Sequence, residues 1–483
     1  MKSNSNLKEN FIYNIIYQIL SLILPLITVP YVSRVLGAEG IGTYSYTYSI
    51  VTYFMLVGML GINNYGNRTI AKCREDKDKL SKNFLGIYSI QCFMTILMIV
   101  FYFLFIYFQK DYKVIFIIQS LYLISTLFDV NWFFFGIEKF KITVTRNMII
   151  KILSLVLIFT LVKSKNDVWK YTLIMASSTL LTQSILIVFL KKYVKYEKIT
   201  ISDVKKHIKP CFILFIPVIA VSLYKIMDKT MIGLISNVKE VGYYEQAEKI
   251  INIPMGIITA LGTVMLPRIS NLVSKGDKVS INIYIKKSMN FMMFLAFPIC
   301  CGIIAISSDI IKILLGQDFA KSGIILNYLS ITLLFISFAN IIRTQYLIPN
   351  ERDKEYTISL ILGAIINLVM NIIFIPKLAS IGACFGTVAA EFTVMLYQII
   401  AVRKEINIKE NISNIFGFFK KSIIMFIIIY FIKFMKIDTN IRVFIQITVG
   451  VIVYVMLNLR YISSIINISI INKLVKNTGE KCE

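Results

Sequence analysis

Three groups of ionisable residues stand inside long apolar runs of this sequence. In "LYKIMDKTMIG", Lys225, Asp228 and Lys229 follow at i, i+3 and i+4, on adjoining faces of a helix. Asp228 is expected to neutralise one of these lysines. In "YYEQAEKI", Glu245, Glu248 and Lys249 follow, with Glu245 four residues before Lys249. In the third group Asp129, in "LFDVNWFFFG", precedes Arg146 and Lys151 by a short loop, and it is expected to pair with one of them. Glu391, in "VAAEFTV", has no charged neighbour in its own helix. The chemistry open to such a set is electrostatic. In a water-filled cavity the cations hold an anionic group and the carboxylates take a coupling ion. The alternative is a set of ion pairs that fasten helices together. An isolated charge at mid-bilayer costs roughly 2.5–3.5 kcal/mol on insertion scales, so either use demands partners.

The elements that must position these charges are membrane spans. Of 483 residues, 57% are hydrophobic and only 16% charged, with a mean hydropathy of +0.72. Apolar runs recur from 11–33 to 441–459, each near the ~20 residues that cross a bilayer as a helix. Fourteen such runs are expected. The first is too long for the apolar core of a cleavable signal. Lysines and arginines concentrate in every second connection (66–82, 136–146, 191–210, 267–287, 403–421), which predicts a multi-pass membrane protein with both termini in the cytoplasm. The net charge of +25 punctuates the spans instead of forming one face, so nucleic acid is not the expected partner; membrane lipids are. The seven cysteines form no CxxC pair, and the single histidine, His207, falls in a charged loop. No metal, cofactor or catalytic site is expected, and GxxxxGK[ST] is absent.

One internal echo organises the spans. "EGIGTYSYTYSI" (39–50) aligns with "KEVGYYEQAEKI" (239–250), setting Ile41, Gly42 and Tyr44 against Val241, Gly242 and Tyr244. Six spans separate the copies, so the halves share one orientation, as in a parallel repeat. The expected fold is an all-α integral membrane protein: a six-helix lobe in 1–200, a second in 201–405, a central cavity, and two more helices with a cytoplasmic tail in 406–483. Tyr44, Tyr46 and Tyr48 read as an interfacial aromatic belt or as a sugar-stacking wall. Arg34 reads as an interfacial arginine or as the rim of a substrate path.

Several stretches carry a family resemblance. "YVSRVLGAEGIGTYSYTYSIVTYF" (31–54), "FDVNWFFFGIEKFKITVTRN" (128–147), "LFIPVIAVSLYKIMDKTMIG" (214–233), "EVGYYEQAEKIINIP...LPRIS" (240–270), "LLGQDFAKSGIIL" (314–326) and "NIIRTQYLIP" (340–349) resemble polysaccharide flippases of the Wzx type. These belong to the multidrug/oligosaccharidyl-lipid/polysaccharide exporter superfamily. The matches run in order over most of 11–400. The resemblance implies fourteen helices in two lobes. It implies alternating access and an undecaprenyl-pyrophosphate-linked oligosaccharide moved from the inner to the outer leaflet in surface polysaccharide synthesis (O-antigen or capsule), with polysaccharide polymerase machinery as a further partner. By analogy with the family's cationic cavity, Arg34, Arg146, Lys151, Lys225 and Lys229 would contact the head group. Asp129, Asp228, Glu245, Glu248 and Glu391 would couple ions or form structural pairs. Rival readings are a multidrug exporter of the same superfamily, a lipid II flippase, and a membrane glycan polymerase or ligase. The last normally needs a large outer loop, and no outer connection here is long enough.

Overall fold

The computed structural model describes the backbone of residues 2–195, 197–406 and 409–464. Cys482 and the charged tail beyond 464 lie outside the described residues. Within them the regular structure is helical and no strand occurs, because in hydrocarbon a span must satisfy its own backbone polar groups. The helices are α1 (Lys2–Met59), α2 (Ile62–Cys73), α3 (Lys77–Phe108), α4 (Lys113–Ser125), α5 (Asn131–Gly136), α6 (Phe140–Leu161), α7 (Val168–Leu190) and α8 (Ile201–Ile235). They continue as α9 (Val238–Ser274), α10 (Lys278–Leu314), α11 (Ala320–Ile342), α12 (Asp353–Leu378), α13 (Ser380–Val402), α14 (Lys409–Ile432) and α15 (Thr439–Leu457).

Twelve helices among the described residues are long and apolar enough to cross a membrane, or thirteen if the bent pair Ile201–Ser222 and Lys225–Ile235 counts as one span. The sequence predicts fourteen. The difference lies at the start of the chain, where the first two expected spans run together as α1. They meet at Gly37, whose φ of 68° only glycine adopts cheaply, so a helical arm resumes without an intervening loop.

Two compact units divide the chain. The first comprises Met1–Lys249, Leu314–Ile325 and Thr357–Ala390; the second comprises Ile250–Ile313, Leu326–Tyr356 and Glu391–Glu483.

In the first unit, two membrane-length segments are broken in mid-course. Leu24–Cys73 interrupts its helix at Leu60 and Gly61, with φ of 41° and 71°. Lys113–Gly136 breaks between α4 and α5, where a 3-10 turn (Thr126–Phe128) leads into Asp129. The "NWFFFG" stretch explains how the second break holds. Trp132, Phe133 and Phe134 are buried against Phe84 and Ile70, and Gly66 leaves room for the indole. Trp132 Nε1 donates to Gln91 Oε1 at 3.0 Å. Gln91 Nε2 donates to the freed carbonyls of Thr126 and Asp129 at 2.6 and 3.0 Å. One buried glutamine thus caps the irregular turn. His207 is not in a loop. It is buried on α8, where Nδ1 meets the Tyr65 hydroxyl at 2.7 Å. The apolar periodicity of 201–235 begins before its charged residues end, which hides the helix start.

In the second unit, α15 is fixed to α10 by a two-pronged ion pair. Arg442 Nε and Nη2 donate to Asp309 Oδ2 and Oδ1, both at 2.9 Å. Arg442→Met alone should lower the stability of this unit by about 3–5 kcal/mol, because it orphans a buried carboxylate. Adding Asp309→Leu should recover most of the loss, as thermal unfolding of the detergent-solubilised protein would reveal.

Candidate functional site

The chemistry-bearing residues of the first unit gather along the second arm of α1. Ser45, Ser49 and Tyr53 recur at four-residue intervals and so share one helical face. Ser45 Oγ donates to Glu245 Oε2 at 2.7 Å. Ser49 Oγ and Thr230 Oγ1 are 2.8 Å apart, and Thr230 Oγ1 lies 3.3 Å from the Tyr53 hydroxyl. This polar seam joins α1 to α8 and α9. At its end the two glycines aligned in the sequence meet. A Cβ on Gly42 would lie 1.6 Å from Val238 O and 2.9 Å from Gly242 N; one on Gly242 would lie 1.9 Å from Ala38 O. Only glycine permits so close a backbone crossing.

The tyrosines beside the seam are not an interfacial belt. Tyr44 and Tyr46 are buried. The Tyr44 and Tyr122 hydroxyls are 2.8 Å apart, Tyr48 stands edge-on to Tyr122, and Tyr46 covers Gly233. Hydroxyl pairing satisfies the polar ends and lets the rings pack inside.

Next to Ser45 sits an ionic quartet. Lys229 Nζ reaches Glu245 Oε2 at 2.7 Å and Glu248 Oε2 at 2.6 Å, and Lys249 Nζ reaches Glu245 Oε1 at 3.0 Å. Two lysines and two glutamates leave the quartet neutral. The Glu245–Lys249 contact is the i, i+4 pair expected from spacing; the bonds from Lys229 cross between helices.

Asp228 departs from expectation. It pairs with neither Lys225 nor Lys229 and takes four neutral donors instead. Asn371 Nδ2 and Asn367 Nδ2 donate to Oδ1 at 2.6 and 3.0 Å; Thr387 Oγ1 and Tyr244 OH donate to Oδ2 at 2.6 and 2.7 Å. The cause is positional: Lys229 meets the glutamates of α9, while Asp228 meets α12, α13 and the Tyr244 hydroxyl of α9. Asn371 Oδ1 is buried beside this cage with no hydrogen-bond partner among the described residues. A carboxylate, a hydroxyl and a spare amide oxygen are hard-oxygen groups of the kind that suit a small cation.

In the third group the expected direct pairing of Asp129 is replaced by a relay. Asn131 Nδ2 donates to Asp129 Oδ1 at 2.7 Å and to Gln183 Oε1 at 2.8 Å, while Asn131 Oδ1 accepts from Arg146 Nη2 at 3.2 Å. Arg146 also donates to Asn147 Oδ1 at 2.7 Å and is buried. Lys151 is half-buried on the same helix. Arg34 is exposed near Gly316, and Lys225 is exposed at the bend of α8. Glu391 is buried and belongs to the second unit. Sequence reasoning missed Ser45, Asn131, Asn367, Asn371 and Thr387. The asparagines carried a signal, "NLVMN", with two amides four residues apart in an otherwise apolar span.

Comparison with known proteins places these features. Residues 7–273 match the family model described as polysaccharide biosynthesis protein. A putative O-antigen transporter of Escherichia coli (strain K12) is 26% identical over 403 residues, covering 82% of this chain and 97% of the relative. A probable low-salt glycan biosynthesis flippase of Haloferax volcanii is 26% identical over 239 residues, covering 49% of this chain and 50% of the relative. Among solved structures, a lipid II flippase in an inward closed conformation is similar with a TM-score of 0.77 at 19% identity, over 94% of this chain and 100% of the other. That likeness shows the fold.

Proposed function

Because the chain belongs to the polysaccharide biosynthesis protein family, we propose that it flips lipid-linked oligosaccharides between the leaflets of a membrane. The substrate is a polyprenyl-pyrophosphate-linked glycan, moved outward across a bacterial cytoplasmic membrane, with both chain termini inside and polymerase machinery as the consumer. The observation that carries this reading is the hydroxyl-rich, charged interior of a chain made of membrane-length helices, together with a transporter relative matched over nearly its whole length. A glycan needs hydroxyl and amide partners, and a pyrophosphate needs cations. The prenyl tail can stay in lipid.

Among the expected head-group cations, Lys225 is the best placed. It is exposed, forms no ion pair among the described residues, and lies at the 54° bend of its span. Lys229 is fully engaged by Glu245 and Glu248, which supports a role in holding helices over one in binding. Asp228 is the carboxylate we assign to a coupling ion. Transport proceeds by alternating access of two lobes, 1–200 and 201–405, about the seam.

Deleting the gene in its host should abolish surface polysaccharide and accumulate lipid-linked glycan in the inner leaflet. Unchanged polysaccharide with new sensitivity to cationic drugs would instead favour a multidrug exporter. In proteoliposomes carrying a polyprenyl-pyrophosphate saccharide, Lys225→Gln should slow flipping at least about tenfold, roughly the loss of one charge-assisted contact of 1.5–3 kcal/mol, while leaving thermal unfolding unchanged.

A further inference from the structure

The two broken spans of the first unit open on the same cavity. It measures about 200 Å³, and its walls include Thr52, Gly61, Asn64, Thr126 and Asp129. One break supplies Gly61 and Asn64, and the other supplies Thr126 and Asp129. Irregular backbone at membrane depth is tolerated where it is buried in protein or lines a polar cavity, and interrupted spans of transporters are where ions and substrates bind. Asp129 brings a carboxylate to this point. Both hydrogen bonds that it accepts go to Oδ1, from Asn131 N at 3.1 Å and Asn131 Nδ2 at 2.7 Å. No described residue donates to Oδ2. The Thr52 and Thr126 hydroxyls spend their protons on the carbonyls of Tyr48 and Leu123, at 2.6 and 2.7 Å, which leaves oxygen lone pairs for a cation.

We propose that this cavity is a monovalent-cation site, with the Asp129 carboxylate as its charged ligand and hydroxyl and backbone oxygens of the two breaks completing it. A single carboxylate matches a single positive charge, a proton or a sodium ion. A calcium ion would demand more oxygen ligands, carboxylates among them. The site is separate from the Asp228 cage. Arg146 is the charged group whose field reaches Asp129, and Asn131 stands between them. That amide is orientated from both ends: its NH2 group is drawn to the carboxylate and its carbonyl to the guanidinium. A cation on Asp129 weakens the first bond and so changes how Asn131 holds Arg146, which keeps its bond to Asn147. Ion binding in the cavity and head-group binding at Arg146 are therefore linked. This linkage rests on the flippase reading; the cation site does not.

The chain has two tryptophans, Trp132 and Trp169. Trp132 bonds to the Gln91 side chain, which in turn bonds to the Asp129 carbonyl, so it reports on this turn. The experiment uses the full-length Trp169→Phe protein in detergent, without glycan. Trp132 emission is followed while sodium chloride replaces choline chloride at constant ionic strength, and separately across roughly pH 4 to 9 in sodium-free buffer. Radiolabelled sodium binding and proton uptake by a pH indicator are measured on the same samples. One cation should give a saturable response. Asp129→Asn should weaken it at least about tenfold and Thr52→Ala severalfold, with Asp228→Asn leaving the Trp132 signal in place. The proposal is overturned if neither cation binds, if Asp129→Asn titrates like its parent, or if Asp228→Asn alone removes the response. Such a failure leaves flipping by the parent protein intact, so the two readings stand or fall separately.

Discussion

Gly42→Ala should disrupt this protein more than any other single-methyl change. The added Cβ would lie 1.6 Å from the Val238 carbonyl oxygen and 2.6 Å from its carbon. Both are backbone atoms, so no side chain can swing aside; the crossing of α1 with α9 must widen. Overpacking a tight contact costs about 1–3 kcal/mol and occasionally more, and backbone overlap belongs at the upper end. Gly242→Ala meets Ala38 O at 1.9 Å and should behave alike. The two glycines share one crossing, so once it is forced apart by the first methyl group the second costs less. The double variant should lose less stability than the singles added together. Gly417→Ala provides the contrast, since nothing lies within 4 Å of its Cβ; in a helix it should be neutral or stabilise by up to about 1 kcal/mol. Thermal unfolding in detergent ranks the four proteins. If the crossing also parts during transport, Gly42→Ala should raise the reactivity of a cysteine at Ser45→Cys toward a membrane-impermeant thiol reagent. An unchanged melting temperature for Gly42→Ala would mean that the helices do not cross as described.

This crossing shows what a sequence yields and what it withholds. Gly42 and Gly242 could be aligned as repeat equivalents, since spacing along the chain is visible. That they touch could not be read, because contact is a property of the folded pair. The same division runs through the charges. Glu245 and Lys249 pair within one helix at i, i+4, and spacing alone predicts it. Lys229 stands at i+1 from Asp228, which turns the two to different neighbours, and which neighbour each meets depends on helices far off in sequence. Hence spacing pairs Asp228 with a lysine of its own helix, while its partners in the fold, Asn367, Asn371, Tyr244 and Thr387, come from helices that spacing does not connect to it. Hydropathy found the spans because burial in lipid acts on every residue of a run. At Gly37 one positive φ replaces the loop that ordinarily separates two runs, so two spans that hydropathy separates follow one another across a kink. The tyrosines misled for a related reason. A hydroxyl at a span end reads as wet, and only the fold brings Tyr122 to satisfy Tyr44.

The ionic quartet separates structure from transport in a single pair of variants. Lys229→Met leaves Glu248 without a cation and Glu245 with Lys249 alone, so a neutral cluster becomes a half-buried net negative charge. Removing one partner of a buried pair costs about 3–5 kcal/mol, most of it the desolvation of the abandoned charge. The variant should therefore express poorly and unfold early. Adding Glu248→Gln restores neutrality, because Glu245 keeps Lys249 and the Ser45 hydroxyl. Most of the lost stability should return, since replacing a buried ion pair by groups without charge is often nearly neutral. Flipping in proteoliposomes then decides the role. If Lys229 serves to lock α8 against α9, the double variant flips at a rate within a fewfold of the parent, and the head-group contacts lie with Lys225 and Arg146. If the double variant is as stable as the parent and yet inactive, Lys229 must leave its glutamates during the cycle to meet the substrate. The quartet would then be the resting place of a substrate-binding lysine.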